Sequence, residues 1–314
     1  MEVFDLHEDI GYYFATGKRP DFDVDDPNRQ SDLPKLARGG VSLVFASIFP
    51  VATFYGPEGP GAPTPAGSKA MALGMFKSLY LLTRRHRITI VEAAADLRRP
   101  GLKFLLLMEG ADALEDPYDL YIYYKLGLRA VGITWNIDNR YGASCMSRRD
   151  YGLTPEGEEL VRLANELGVV VDLAHAGRRT ALDAIYASKR PVVISHANAY
   201  SVHKSPRNVD DEVLEALKKN GGVIGVTAIP SIIGGSGSAE DLARHVLYIR
   251  DSFGSDILAI GTDALGVDAM AAGLESVDKI PRFLELLRER GLSDSEIEKM
   301  AYLNAKRVLE ANLK

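Results

Sequence analysis

Hydrophobic and polar positions alternate along this chain as short apolar runs separated by longer amphipathic stretches. Eight apolar runs, several rich in β-branched residues, predict buried strands beginning near residues 3, 41, 103, 130, 169, 192, 223 and 257. The stretches between them favour helices; in Arg178–Ala187, for example, Ala181, Leu182 and Ile185 line one face. This alternation over ~250 residues predicts one (β/α)8 TIM-type barrel domain spanning residues 1–314, with a doubly wound open sheet as the alternative.

Ionisable side chains follow the predicted strands at their carboxyl ends. In a barrel of this type those ends meet at one mouth, where catalytic residues are found. Three imidazoles and three carboxylates are therefore expected to converge there: His7, Asp9, Glu109, His175, His196 and Asp263. Coincidental placement after five different strands explains this set poorly. The set of six residues instead predicts a metal site, and this number of ligands suits two ions better than one.

The types of predicted ligand also restrict the metal. Carboxylates packed closely in an apolar mouth repel one another and raise each other's pKa, a conflict that divalent cations remove. Mixed imidazole and carboxylate ligands suit Zn²⁺, with Mn²⁺, Co²⁺ or Fe²⁺ as alternatives, whereas Mg²⁺ and Ca²⁺ favour oxygen ligands. The other histidines, His86, His203 and His245, lack such a setting and are predicted to be structural. Glu8 and Asp172 are predicted to be supporting or solvated.

Composition narrows the class of partner. The 314 residues carry a net charge of −6, which gives no long-range attraction for nucleic acid or for an anionic membrane. No apolar run approaches the ~20 residues of a membrane span, and the acidic N-terminal sequence is unlike a secretory signal. The single cysteine, Cys145, excludes a disulfide within the chain. These features predict a cytoplasmic protein that acts on a small molecule.

Several separate motifs carry a resemblance to a known family. They are DLHEDI at 5–10, MEGADAL at 108–114, LGLRAVGITWNIDN at 126–139, GLTPEGEELVRLANELGVVVDLAH at 152–175 and SHANAYSVHKSPRNVDDEVL at 195–214. Together they resemble the membrane (renal) dipeptidase family of zinc peptidases, which belongs to the metal-dependent amidohydrolase barrels. The resemblance extends from His7 to about Leu309 and implies a metal-dependent hydrolase.

By position, the resemblance implies that His7 and Asp9 bind one zinc ion. His175 and His196 would bind a second ion, and Glu109 would bridge the two. A carboxylate bridge holds two ions roughly 3.5 to 4 Å apart, a spacing at which one hydroxide can contact both and act as the nucleophile.

The resemblance also assigns roles in catalysis. Asp263 would accept the proton of the nucleophile and return it to the leaving amine. Arg207 would bind the terminal carboxylate of the substrate, a task suited to a planar bidentate donor. The implied substrates are small dipeptides, including those with a C-terminal D-residue, and the implied assembly is a homodimer.

Three places depart from the family pattern. Trp135 stands where many members have a histidine near the substrate, and an indole offers only an apolar wall and one N–H donor. Leu265 replaces a second acidic residue, and Thr227-Ala228 lacks the tyrosine often found after the seventh strand. Trp135 is therefore predicted to contact the substrate and to affect which substrates are accepted.

Two other functions stay open at the level of sequence. A hydrolase with the same metals would act on another amide or ester, such as an N-acyl amino acid or a lactone. A metal-binding barrel without catalysis is the alternative from a different class, although Asp263 argues against it because a pure binder needs no proton shuttle. The stretch rich in proline and glycine at residues 50–67 predicts a long loop that serves as a dimer contact or a lid.

Overall fold

A computed structural model describes residues 1–16, 21–50 and 65–314 of the chain. Its strands are β1 (Val3–Glu8), β2 (Val41–Ile48), β3 (Thr89–Ile90), β4 (Lys103–Met108), β5 (Leu128–Gly132), β6 (Val170–Asp172), β7 (Val193–Ile194), β8 (Val223–Val226) and β9 (Leu258–Ile260). All the strands but β3 form a ring of parallel neighbours in the order β2-β1-β9-β8-β7-β6-β5-β4, closed by the pairing of β2 with β4. The predicted (β/α)8 barrel is confirmed, and closure of the ring excludes the open sheet. The short strand β3, which was not predicted, pairs with the start of β4.

Helices connect the strands and surround the barrel. They are α1 (Ile10–Ala15), α2 (Leu33–Gly39), α3 (Pro65–His86), α4 (Leu120–Lys125), α5 (Pro155–Leu167), α6 (Arg178–Ala187), α7 (Asp211–Asn220), α8 (Pro230–Ile233), α9 (Ala239–Phe253), α10 (Ile280–Glu289), α11 (Asp294–Glu298) and α12 (Asn304–Asn312). Thr154 caps the start of α5, because its Oγ1 accepts a hydrogen bond from the backbone N–H of Gly157. Among the described residues, no helix is long and apolar enough to cross a membrane.

The barrel interior is filled by one apolar cluster to which every strand of the ring contributes. Its strand members are Phe4, Leu6, Leu43, Phe45, Leu105, Leu107, Ala130, Val170, Val193, Val223 and Ala259. The same cluster includes Val308, Leu309 and Leu313 at the C-terminal end of the chain, so α12 completes this core. Every second side chain of a strand faces the same side. Asp172 and Ser195, each two residues after Val170 or Val193, therefore also point into the barrel. The interior is thus apolar over most of its depth and polar next to the mouth.

Two details differ from the sequence predictions. Helix α3 begins at Pro65, so the predicted loop ends before residue 67; its residues 51–64 lie outside the described residues. Strand β1 runs from Val3 to Glu8, so His7 lies within the strand, whereas the sequence predicted that it follows the strand. Glu8, predicted to be supporting or solvated, is fully buried, which excludes the solvated alternative. Asp172 is buried and hydrogen-bonded, which agrees with a supporting position.

Candidate metal centre and active site

The structure brings all the predicted ionisable residues together at the mouth of the barrel. The first group surrounds His7, whose Nε2 atom lies 3.4 Å from Glu109 Oε2, 3.6 Å from Asp263 Oδ1 and 3.7 Å from Asp9 Oδ2. One imidazole nitrogen is thus ringed by three carboxylate oxygens, each from a different side chain.

The second group lies on the other side of Glu109. His175 Nε2 is 2.9 Å from Glu109 Oε1 and 2.9 Å from His196 Nε2, while His196 Nε2 is 3.6 Å from Glu109 Oε1. The two oxygens of the Glu109 carboxylate therefore face different partners: Oε2 faces His7, and Oε1 faces His175 and His196.

The backbone holds two of these residues in an unusual conformation. His175 and Asp263 have φ angles of +66° and +64°, in the left-handed region that residues other than glycine seldom adopt. The backbone N–H of Asp263 donates to the His7 carbonyl at 3.0 Å, and the carbonyl of His175 accepts from the N–H of Cys145 at 2.7 Å. Strain of this kind persists only where the surrounding structure imposes it, and it is concentrated at functional sites.

Burial and nearby positive charge keep His175 and His196 neutral. Burial and the positive charge of Arg207 lower the pKa of His175 to about 3. Burial, together with the charges of His7 and Arg207, holds the pKa of His196 well below its usual value. A neutral imidazole is the form that binds a metal, so both rings are in the required state at neutral pH.

In the group around His7, charge outweighs burial and favours a protonated imidazole. Burial opposes a charge on His7, but the Glu109 and Asp9 carboxylates outweigh it and raise the pKa of His7 well above its usual value. Burial also opposes a charge on Glu109, yet His7 holds the pKa of that carboxyl well below its usual range. Burial and the charge of Asp9 raise the pKa of Asp263 well above its usual range. A proton on His7 thus offsets part of the negative charge that is packed around it.

Comparison with known proteins decides the family. The sequence profile of the membrane dipeptidases (peptidase family M19) matches residues 1–313. The chain is 32% identical over 311 residues to dipeptidase tcpJ of Claviceps purpurea, covering 92% of this chain and 72% of that protein. It is 36% identical over 330 residues to an uncharacterized dipeptidase of Schizosaccharomyces pombe, covering 98% of this chain and 79% of the other. The chain belongs to the membrane dipeptidase family.

A solved structure agrees with this membership. A metallopeptidase of Rhodobacter sphaeroides, solved with a phosphinate mimic of the dipeptide L-Ala-D-Ala, matches with a TM-score of 0.89 and 25% identity, covering 99% of both chains. The membership makes this chain a metal-dependent hydrolase of the dipeptidase type, as the sequence predicted.

The polar atoms at the mouth of this dipeptidase fit a cation. Within the described part of the chain, His7 Nδ1 and Nε2 and Asp9 Oδ1 are buried and make no hydrogen bond. Asn136 Oδ1 lies 2.8 Å from His175 Nδ1. Because an amide oxygen only accepts, His175 donates from Nδ1, and the lone pair on its Nε2 faces Arg207 Nη2 at 3.1 Å as well as His196 Nε2 and Glu109 Oε1. Acceptor atoms gathered in this way repel one another unless a positive charge lies among them.

Arg207 and Trp135 line the same mouth, around a cavity of about 490 Å³. Arg207 is buried, and its Nη2 lies 3.1 Å from His175 Nε2 and donates to the His196 carbonyl at 3.2 Å. The ring of Trp135 is 5.8 Å from that of His175 and packs edge-on against Phe49 at 5.1 Å. Both residues therefore line the mouth, and their contact with a substrate stays a prediction.

Sequence reasoning missed the neutral polar side chains that support the ligands. Ser47 Oγ donates to Glu109 Oε2 at 3.2 Å, Asn136 contacts His175, and Ser195 Oγ lies 2.9 Å from His196 Nδ1. Each is a polar residue within a barrel strand or shortly after one. That position is a usable signal, but attention to ionisable groups alone does not detect it.

Proposed function

We propose that this chain is a dinuclear zinc dipeptidase in which Glu109 bridges two ions. The supporting observation is that the two oxygens of the Glu109 carboxylate face different residues: Oε2 faces His7, and Oε1 faces His175 and His196. His7 and Asp9 would bind one ion, and the two other histidines would bind the second. Imidazole and carboxylate ligands suit zinc, although manganese, cobalt and iron accept the same set.

Bound metal ions would supply activation of water and polarisation of the scissile carbonyl. Asp263 would take a proton from the attacking water and deliver it to the leaving amine. Arg207 would pair with the C-terminal carboxylate of the substrate through its planar fork. Trp135 would form an apolar wall of the cavity.

A small dipeptide whose C-terminal residue has either hand is the proposed substrate. Support comes from the R. sphaeroides metallopeptidase, which was solved with a mimic of L-Ala-D-Ala. A cavity of about 490 Å³ is of the size that small-molecule sites have. The cytoplasmic location and the homodimer stay predictions.

Metal content tests the dinuclear arrangement. Zinc-loaded wild-type protein should carry two equivalents per chain, measured by inductively coupled plasma mass spectrometry. His175→Ala should lose one of them, whereas Glu109→Gln should reduce binding at both positions because its carboxylate serves both. His86→Ala, which changes a histidine outside the mouth, is the matched control and should keep two. A single equivalent in the wild-type protein contradicts the bridged pair.

Substrate turnover tests the reaction. We expect zinc-loaded protein to release amino acids from both L-Ala-D-Ala and L-Ala-L-Ala, with N-acetyl-D-alanine and a lactone cleaved far more slowly. Blocking the dipeptide's carboxylate as an amide should raise KM in the wild-type protein and have less effect in Arg207→Lys. Absence of any dipeptide turnover rejects the proposal, and turnover of only the N-acyl or lactone substrate supports the other hydrolase function.

A further inference from the structure

A buried hydrogen-bond chain connects the interior of the barrel to one predicted metal ligand. Asp172 lies at the end of β6, and Ser195 and His196 follow the neighbouring strand β7. Asp172 Oδ2 accepts a hydrogen bond from Ser195 Oγ at 2.6 Å, and Ser195 Oγ lies 2.9 Å from His196 Nδ1. All three residues are at most 1% exposed.

The chemistry of the hydroxyl gives this chain a direction. A serine has one hydroxyl hydrogen, and the carboxylate of Asp172 is an acceptor that takes it. Ser195 Oγ can then only accept at His196 Nδ1, so the imidazole must carry its hydrogen on Nδ1. The lone pair is left on His196 Nε2, the atom that faces His175 and Glu109.

Backbone contacts fix the carboxylate at the start of the chain. Asp172 Oδ1 accepts from the backbone N–H of Ser195 at 2.9 Å and from that of Ala174 at 3.0 Å. The carboxylate therefore cannot turn without breaking two further hydrogen bonds. Ser195 is held to Asp172 through both its backbone and its side chain, which leaves the hydroxyl one orientation.

We propose that Asp172 is a positioning residue that acts through Ser195 to hold His196 as the Nδ1–H tautomer, with Nε2 free to bind a metal. This inference rests on the proposed metal-binding function of His196. In metal sites generally, removing a residue that hydrogen-bonds to a metal ligand lowers metal affinity by roughly 10 to 100-fold. Neither residue touches the substrate or the reacting atoms; each affects the site only through His196.

A second pair of residues in the barrel provides a matched control. Asp5 Oδ2 accepts from Thr262 Oγ1 at 2.5 Å, and Asp5 Oδ1 accepts from the backbone N–H of Thr262 at 2.9 Å. This pair also joins two neighbouring strands, β1 and β9, but Thr262 Oγ1 accepts its next hydrogen bond from the backbone N–H of Ala264 and not from a histidine ring. Thr262→Val thus removes a comparable buried hydrogen bond without acting on His196.

Asp172→Asn gives the sharpest test, because it should reverse the direction in which hydrogen bonds are donated along Asp172, Ser195 and His196. With the amide oxygen kept on the two backbone N–H groups, the amide nitrogen faces Ser195 Oγ and donates to it. The serine hydroxyl then donates to His196 Nδ1, and the ring hydrogen moves to Nε2. That hydrogen would occupy the space between His196, His175 and Glu109 where an ion is expected.

The readout is the histidine tautomer in metal-free protein, from two-bond proton–nitrogen NMR spectra of ¹⁵N-histidine-labelled samples. His196 is assigned by its absence from the spectrum of His196→Gln. We expect Nδ1–H in the wild-type protein and in Thr262→Val, Nε2–H in Asp172→Asn, and a mixture of both in Ser195→Ala. Ser195→Ala keeps the test informative where Asp172→Asn does not fold.

Zinc affinity, measured by competition with a chelator, should fall roughly 10 to 100-fold in both Asp172→Asn and Ser195→Ala. An unchanged tautomer in these variants overturns the inference, and so does a changed tautomer with unchanged zinc affinity. The result is separate from the proposed activity. Wild-type protein that binds zinc and cleaves no dipeptide would reject the dipeptidase proposal and leave this inference standing.

Discussion

At the scale of single residues, His7 has the most demanding surroundings in the mouth. Its ring is fully buried, three carboxylate oxygens lie within 3.7 Å of its Nε2, and its pKa is raised for that reason, although burial alone would lower it. A proton on His7 and a metal ion beside it satisfy the same carboxylates. Metal binding therefore displaces a proton, and metal affinity should decrease as the pH falls.

Asp112 gives a prediction about stability and pH. Burial raises the pKa of its carboxyl to about 6 in the folded chain, against 3.8 as the ordinary value. The folded state therefore holds this proton more tightly, and its stabilising contribution is complete below pH 4 and is lost as the pH rises through 6. Two pKa units correspond to about 3 kcal/mol as an upper limit, reduced by the side chain's partial solvent contact.

Asp112→Asn should accordingly raise the Tm of metal-free protein at pH 8 and leave it nearly unchanged at pH 4, as measured by differential scanning calorimetry. The amide oxygen can still accept the hydrogen bond that Asn139 Nδ2 donates to Asp112 at 3.3 Å. An equal shift at both pH values would show that the carboxyl charge is not the cause.

At the scale of elements, the loops that leave the strands determine the site as much as the strands do. After β9 the chain turns through Asp263 and Leu265, both with positive φ, and the N–H of Gly266 donates to the Asp263 carbonyl at 3.1 Å. A Cβ atom on Gly266 would lie 2.0 Å from Asp9 Oδ2 and 2.8 Å from Asp263 Oδ1. Only glycine allows this loop to pass so close to the two carboxylates.

Gly266→Ala should therefore displace Asp9 and Asp263 and weaken binding of the ion proposed next to His7 by roughly tenfold or more, because loss of even a group that only supports a ligand changes metal affinity by roughly 10 to 100-fold. Zinc titration should show one tight equivalent remaining. Gly74→Ala is the matched control: nothing lies within 4 Å of its added Cβ, and Gly74 is inside α3. That variant should bind zinc normally and gain about 0.5 to 1 kcal/mol of stability in denaturant titrations.

The elements also show which parts of the structure the sequence could predict. Barrel strands such as β2 and β4 begin where the sequence predicted, at residues 41 and 103, because long apolar runs mark them clearly. Helices α1 and α8 and strand β3 were missed because they have six residues or fewer, too short for a periodic pattern. Helix α2 had a usable signal, since Asp32 caps it and Pro34 stands in its first turn.

The site was predictable to a similar degree. Its ionisable residues were found because parallel strands deliver their carboxyl ends to one mouth. The directions of the side chains were not, since Asn136 and Ser195 are recognised as supports only when distances to His175 and His196 are known. Spacing along the chain carries no information on such cross-strand contacts.

At the scale of the whole molecule, the core that stabilises the barrel and the mouth that is proposed to bind metal are separate regions. Leu309 of α12 is fully buried in the cluster that fills the barrel interior. Leu309→Ala should cost about 2 to 5 kcal/mol of unfolding free energy, because it removes buried methyl groups and leaves a cavity. Denaturant titration measures that loss. Zinc affinity of the folded variant should match the wild-type value, and a parallel loss of affinity would contradict the separation.

The joint between β1 and β9 connects the two ends of the chain. Asp5 accepts from Thr262, and the N–H of Asp9 donates to the Ala264 carbonyl at 2.9 Å, a contact between residues 255 positions apart in sequence. The surroundings of His7 therefore cannot be complete on a ribosome until Asp263 has emerged, whereas Glu109, His175 and His196 are available much earlier. During synthesis, the residues that surround His7 are all present only when the last strand of the ring, β9, and the loop after it have emerged.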